Sequence, residues 1–89
     1  MARENFPVAP TTADLRVLEI LVENAGRVTS RETLARMAGL DGAITRRVDV
    51  SLVVLRRALG AESIHTVRQR GWLLTENGLT AAKKLLEIR

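Results

Sequence analysis

Apolar residues recur at spacings of three and four along most of the chain, with polar residues between them. Thr11-Thr12-Ala13-Asp14 has capping-box spacing, and behind it Leu15, Leu18, Leu21 and Val22 mark one side of a helix over about 12–25. Gly26 closes that helix where a left-handed residue is needed. After an extended link at Arg27-Val28, Thr29-Ser30-Arg31-Glu32 offers a second cap. Leu34, Met37 and Ala38 form a narrow apolar stripe ended by Gly39, which predicts a short helix over about 31–38. Leu40-Asp41-Gly42-Ala43-Ile44-Thr45 reads as a loop. Val48, Leu52, Leu55 and Leu59 then mark one face of a third helix, over about 46–59, stopped by Gly60.

From Ile64 the period changes to two. Ile64-His65-Thr66-Val67 and Trp72-Leu73-Leu74-Thr75 are short strands around Arg68-Gln69-Arg70-Gly71, a hairpin with a basic turn. Asn77-Gly78 reads as a break, after which Thr80 can cap a last helix with Leu79, Ala82, Leu85 and Leu86 on its apolar side. The chain divides into an N-terminal arm (1–10), with Phe6 and Val8 at most an edge strand, a central domain (11–75) and a C-terminal helix (76–89).

Composition narrows the chemistry. The 89 residues make one small domain, 46% hydrophobic and 27% charged, which is globular composition. No apolar run approaches the roughly 18–20 residues of a membrane span, and the first ten residues hold no signal-peptide stretch. A cytoplasmic protein with no membrane partner is expected. The absence of Cys excludes thiolate nucleophiles and zinc ribbons, and the single His65 has no second His to bind a metal with. No cofactor is expected, and no enzyme. Ser30 reads as a helix cap, since no His or Lys base stands at a recognisable spacing from it. With only Phe6 and Trp72 aromatic, there is no platform for stacking unpaired bases.

The net charge is +4, and its distribution is uneven. Residues 46–70 hold six Arg against Asp49 and Glu62, a local excess of +4, while the first 45 residues sum to −1. Arg forks onto phosphates and guanine edges, so the excess points to a polyanion. Three helices followed by a hairpin match the order of a winged helix-turn-helix, an α+β fold here with a three-helix core, a C-terminal hairpin wing and an extra C-terminal helix. In that arrangement the third helix and the wing touch DNA, and those are the two elements that carry the Arg excess.

Three segments make the likeness specific. LEILVENAGRVTSRETLARMAG, RRVDVSLVVLRRALG and IHTVRQRGWLL, in that order over about residues 12–75, resemble the effector domain of OmpR/PhoB-type response regulators. The resemblance implies a winged helix that binds double-stranded DNA for transcription control, often as a dimer or tandem array on the DNA. The family usually has an opening antiparallel sheet and a receiver domain, and this sequence shows neither. The tail from Trp72 to Gly78, followed by a helix, looks instead like the wing exit of small MarR-like regulators, which favours a free-standing regulator.

Opposite the apolar face of the third helix stand Arg46, Arg47, Val50, Val53, Val54 and Arg57. By resemblance Arg46, Val50, Ser51, Val53 and Val54 match positions that meet bases or phosphates, and Arg56 and Arg57 match backbone contacts near the helix end. Val53 and Val54 stand where the family often has basic or polar side chains, so the helix reads thymine methyl groups, and specificity leans on Arg46 or Arg47. In the wing, Thr66, Arg68 and Arg70 are placed for phosphate or minor-groove contact. Trp72 is expected in the core, His65 on a strand surface near phosphate, and Asp49 in an ion pair that orients a neighbouring Arg. Arg27 and Arg31 either reach phosphates or stay solvated.

The function expected is sequence-specific duplex binding in transcription regulation, in a nucleoid-associated protein, with about four to six phosphates neutralised and a salt slope of roughly −4 to −5. Two readings stay open beside it. One is a protein-interaction winged helix, docking RNA polymerase or another regulator through Val50, Val53 and Val54; the other is an architectural DNA-binding accessory factor of recombination. The last helix has only a partial apolar stripe, and weak or no dimerisation without DNA is expected.

Overall fold

The computed structural model describes residues 9–39 and 46–88, Arg46 by its backbone alone. The expected arm through Phe6 and Val8 and the loop at 40–45 lie outside the described residues. The elements run α1 (Thr12–Glu23), α2 (Arg31–Met37), α3 (Arg46–Leu59), β1 (Ile64–Val67), β2 (Gly71–Leu74) and α4 (Glu76–Glu87). This is the α+β winged-helix layout that the helix order predicts.

Thr11 and Asp14 close the capping box in both directions at the start of α1, and Ser30 caps α2 by accepting from the Thr33 amide. α1 ends at Glu23, two residues short of its expected end. There Asn24 donates through Nδ2 and its backbone amide to the Ile20 carbonyl, and Gly26 turns the chain at φ 84°. α3 has the limits that its period and Gly60 predict.

The core is one cluster. Val17, Leu18, Ile20 and Leu21 of α1 meet Leu34 and Ala35 of α2, Val48, Leu52 and Leu55 of α3, Ile64 and Leu74 of the hairpin, and Ala82 of α4. Trp72 joins them, as expected. Both α2 and α1 depart from the sequence pattern. Met37, expected in the stripe of α2, is 44% exposed, and Ala35 is buried in its place. Val17 and Ile20 are buried although Leu15, Leu18, Leu21 and Val22 define the pattern, because α1 is surrounded by α2, α3 and α4.

The strands pair antiparallel with Ile64 opposite Leu74 and Val67 opposite Gly71, so β2 begins one residue before its expected start. β2 has a second neighbour that the period did not announce. Thr29 exchanges backbone hydrogen bonds with Trp72 in both directions, at 2.7 and 3.0 Å, which fastens the extended link before α2 to the wing. Gly71 fits there because a Cβ at that position would stand 2.1 Å from the Thr29 carbonyl oxygen.

The cap of α4 stands five residues before the expected Thr80. Thr75 is the N-cap, accepting from the Gly78 amide while its hydroxyl donates to the carbonyls of Glu62 and Ser63. Asn77-Gly78 therefore lies inside the first turn and does not break the chain. α4 packs on α1 and α3 of its own chain, with Leu79, Leu85 and Leu86 half-buried against the core.

Candidate nucleic-acid interface

Helical spacing puts Val50, Val53 and Arg57 on the side of α3 away from Val48, Leu52 and Leu55. Val50 is 44% and Val53 50% exposed, Arg57 is exposed and Val54 half-buried. Val48, Leu52 and Leu55 are buried, which fixes the rotation of the helix and so which residues it presents. Arg46 opens α3.

Three residues expected at the interface are engaged within the chain. Ser51 is fully buried and donates to Asp14 Oδ1 at 2.6 Å, so it faces α1 and not a groove. Arg47 reaches the same carboxylate oxygen at 3.4 Å and Thr11 Oγ1 at 3.3 Å, with its side chain only one-third exposed. The start of α1 holds this guanidinium back from the exposed face. Arg56 donates through Nε and Nη2 to the Ile64 carbonyl at 3.2 and 3.1 Å, and through Nη2 to Thr66 Oγ1. Each of these contacts satisfies a polar group that burial or strand geometry would otherwise leave unpaired.

Asp14 is the centre of the first of these networks. Burial opposes its charge, but hydrogen bonds from Ser51 and Thr11 and the charge of Arg47 outweigh it, and together they hold the carboxyl below its ordinary value. The carboxylate thus fixes α3 against the N-terminus of α1.

Arg31 ties α2 to both α3 and β2. Its Nη2 and Nε donate to Asp49 Oδ1 at 3.0 and 3.3 Å, and its guanidinium lies over the Trp72 ring, 5.2 Å from the centroid. Asp49 does orient an Arg, as expected, but the partner comes from α2 and not from its own RRVDV run.

The wing turn presents its cations freely. Arg68 and Arg70 are exposed, and between them Gln69 takes φ 66°, a left-handed conformation that closes the turn. Thr66 and His65 are exposed on β1. Among the described residues the side chains of Arg57, Arg68 and Arg70 make no hydrogen bond or ion pair, unlike those of Arg47 and Arg56, and the side chains of Arg27 and Arg36 share that freedom. No group of three His, Cys, Asp or Glu able to hold a metal occurs among the described residues, and none of their helices is long and apolar enough to cross a membrane.

Sequence reasoning had no local cue for the engagement of Arg31, Arg47 and Arg56. Their partners lie 8 to 41 residues away along the chain. Only Asp14 carried a cue, in its capping-box spacing, and that cue explains its backbone contacts with Thr11 but not its role toward α3.

Residues 5–74 match the family model described as transcriptional regulatory protein, C terminal. No curated protein matches the chain as a relative.

Proposed function

The chain belongs to the family of transcriptional regulatory protein C-terminal domains, OmpR/PhoB-type winged helix-turn-helix units that bind DNA in transcription regulation, and from that premise we propose sequence-specific recognition of duplex DNA through α3 and the wing. α3 enters the major groove with Arg46, Val50, Val53 and Arg57 toward the DNA, and Thr66, Arg68 and Arg70 follow the adjacent backbone or minor groove. The observation that carries the reading is the sorting of the arginines. Arg57, Arg68 and Arg70 stand free on α3 and the wing, while Arg47 and Arg56, close beside them in sequence, are held by the protein.

This sorting lowers the expected charge contribution. With Arg46, Arg57, Arg68 and Arg70 as the phosphate or base ligands, log K falls with log salt at a slope of about −3 to −4, shallower than the sequence-based value. Specificity rests on Arg46 for a guanine edge and on Val50 and Val53 for thymine methyl groups.

The test is a titration of random-sequence and genomic duplexes at two salt concentrations, comparing the wild type with an Arg46→Ala, Arg68→Ala double variant. Salt-sensitive binding that prefers a subset of duplexes and is lost in the variant supports the reading. Absence of binding at low salt overturns it. The exposure of Val50 and Val53 favours a second reading, docking on a protein such as RNA polymerase, and Val53→Asp then abolishes partner binding while DNA affinity is absent throughout.

A further inference from the structure

We propose that Arg56 is a positioning residue for the wing, acting on DNA through Thr66 and not by its own contact with phosphate. The inference rests on the DNA-binding reading above and assigns one of its cations a different task.

Among the described residues β1 pairs with β2 alone, so its outer edge offers backbone groups that no described strand satisfies. Arg56, in the last turn of α3, covers that edge by donating from two nitrogens to the Ile64 carbonyl, and the same Nη2 donates to Thr66 Oγ1. A planar guanidinium is suited to this, because its donors diverge in one plane in a rigid fork. Its position at the C-terminal end of the helix is also favourable toward the helix dipole.

The contact sets the chemistry of Thr66. A hydroxyl that accepts from Arg56 keeps its own proton to donate, and a charge-assisted bond to its oxygen makes that O–H a stronger donor. Thr66 is exposed, so the donor is available to a phosphate oxygen. Arg56 thereby fixes the distance between the end of the recognition helix and the wing, and it orients the first wing hydroxyl in the same step.

A thermodynamic cycle separates this from direct phosphate contact. Affinity for a random-sequence duplex is measured for wild type, Arg56→Gln and Arg56→Lys, each in an intact wing and in a Thr66→Val, Arg68→Ala, Arg70→Ala wing. Arg56→Gln is expected to weaken binding about fivefold or more in the intact wing and less than about twofold in the disarmed wing. Arg56→Lys, which keeps the charge but loses the planar fork, is expected to behave like Arg56→Gln. Equal losses in both wings overturn the assignment. So does rescue by Lys, with a salt slope that falls by about one only in the Gln variant, because that is the behaviour of a direct phosphate ligand. Lack of binding by the wild type, visible before any variant is compared, overturns the DNA reading and this assignment with it.

Discussion

Asp14, in the first turn of α1, accepts a 2.6 Å hydrogen bond from Ser51 in the middle of α3, and neither residue is more than 1% exposed. The capping carboxylate of one helix is therefore also the docking point of the other. Arg47 adds its charge at the rim of the same contact. The stability of the fold and the presentation of α3 are joined at one side chain.

The first consequence is a dependence on acid. The folded carboxyl of Asp14 titrates below its ordinary value, so in the unfolded chain it takes up a proton at higher pH than in the fold. Its contribution to stability is fully present above the unfolded value of about 3.9 and is lost as pH falls through the lowered folded value. Urea midpoints measured from neutral pH downward are expected to converge for wild type and Asp14→Asn in strong acid. A constant difference at all pH values would remove Asp14 as the source.

Ser51→Ala separates stability from DNA contact. On an exposed helix face Ala would be neutral or favourable by up to about 0.5 kcal/mol, from its higher helix propensity. Here the substitution leaves a buried carboxylate oxygen without its shortest hydrogen bond, which costs about 1–3 kcal/mol. Chemical denaturation is expected to show that loss, while DNA affinity at a temperature where the variant is folded changes little.

Gly78→Ala sets two effects against each other. Helix propensity favours Ala by about 1 kcal/mol in a helix interior. The new Cβ, however, would stand 2.1 Å from the Ser63 carbonyl oxygen, a backbone atom tied by the Thr75 amide and hydroxyl. Sterics win, and thermal melting is expected to show a net destabilisation of about 1–3 kcal/mol, as for overpacking elsewhere.

Arg31→Gln is expected to change the emission of Trp72, the single Trp of the chain, because a cation is removed from the face of its ring. Both Arg31 and Asp49 are about half exposed, so the change in stability stays below about 1 kcal/mol. Asp49→Asn is expected to shift the same emission in the same direction, by less, since it loosens Arg31 without removing it. An unchanged spectrum in Arg31→Gln would show that the guanidinium does not rest on the ring in solution.

The packing of α4 on α1 and α3 of its own chain predicts a monomer in the absence of DNA. Ala82 is buried there, and Leu79, Leu85 and Leu86 are already partly covered. Sedimentation at micromolar concentration is expected to give one species of monomer mass, and a stable dimer would overturn the expectation.

The legible parts of the fold were those written in local sequence. Gly60 and the spacing of Val48, Leu52, Leu55 and Leu59 gave the limits of α3, and Thr11 and Ser30 gave the starts of α1 and α2. The start of α4 was misread because Asn77-Gly78 looks like a turn, whereas the glycine is required by the approach of the Ser63 carbonyl, a neighbour in space. The candidate interface divided along the same line. Exposure of Val50, Val53, Arg57, Arg68 and Arg70 follows from periodicity. The withdrawal of Ser51, Arg47 and Arg56 does not, because a polar residue on a helix declares its partner only when another element is brought against it.

The paired hydrogen bonds between Thr29 and Trp72 join positions 43 residues apart, and they make the wing something other than an interchangeable attachment. A hairpin transplanted from another winged helix would have to present its backbone to the Thr29 amide and carbonyl, and it would need a glycine where Gly71 lets the two chains approach. Sequence change in the wing is therefore freest at the exposed turn, where Arg68 and Arg70 project, and most restricted at its base. The tip of the hairpin can drift while the interior of the domain keeps the root fixed.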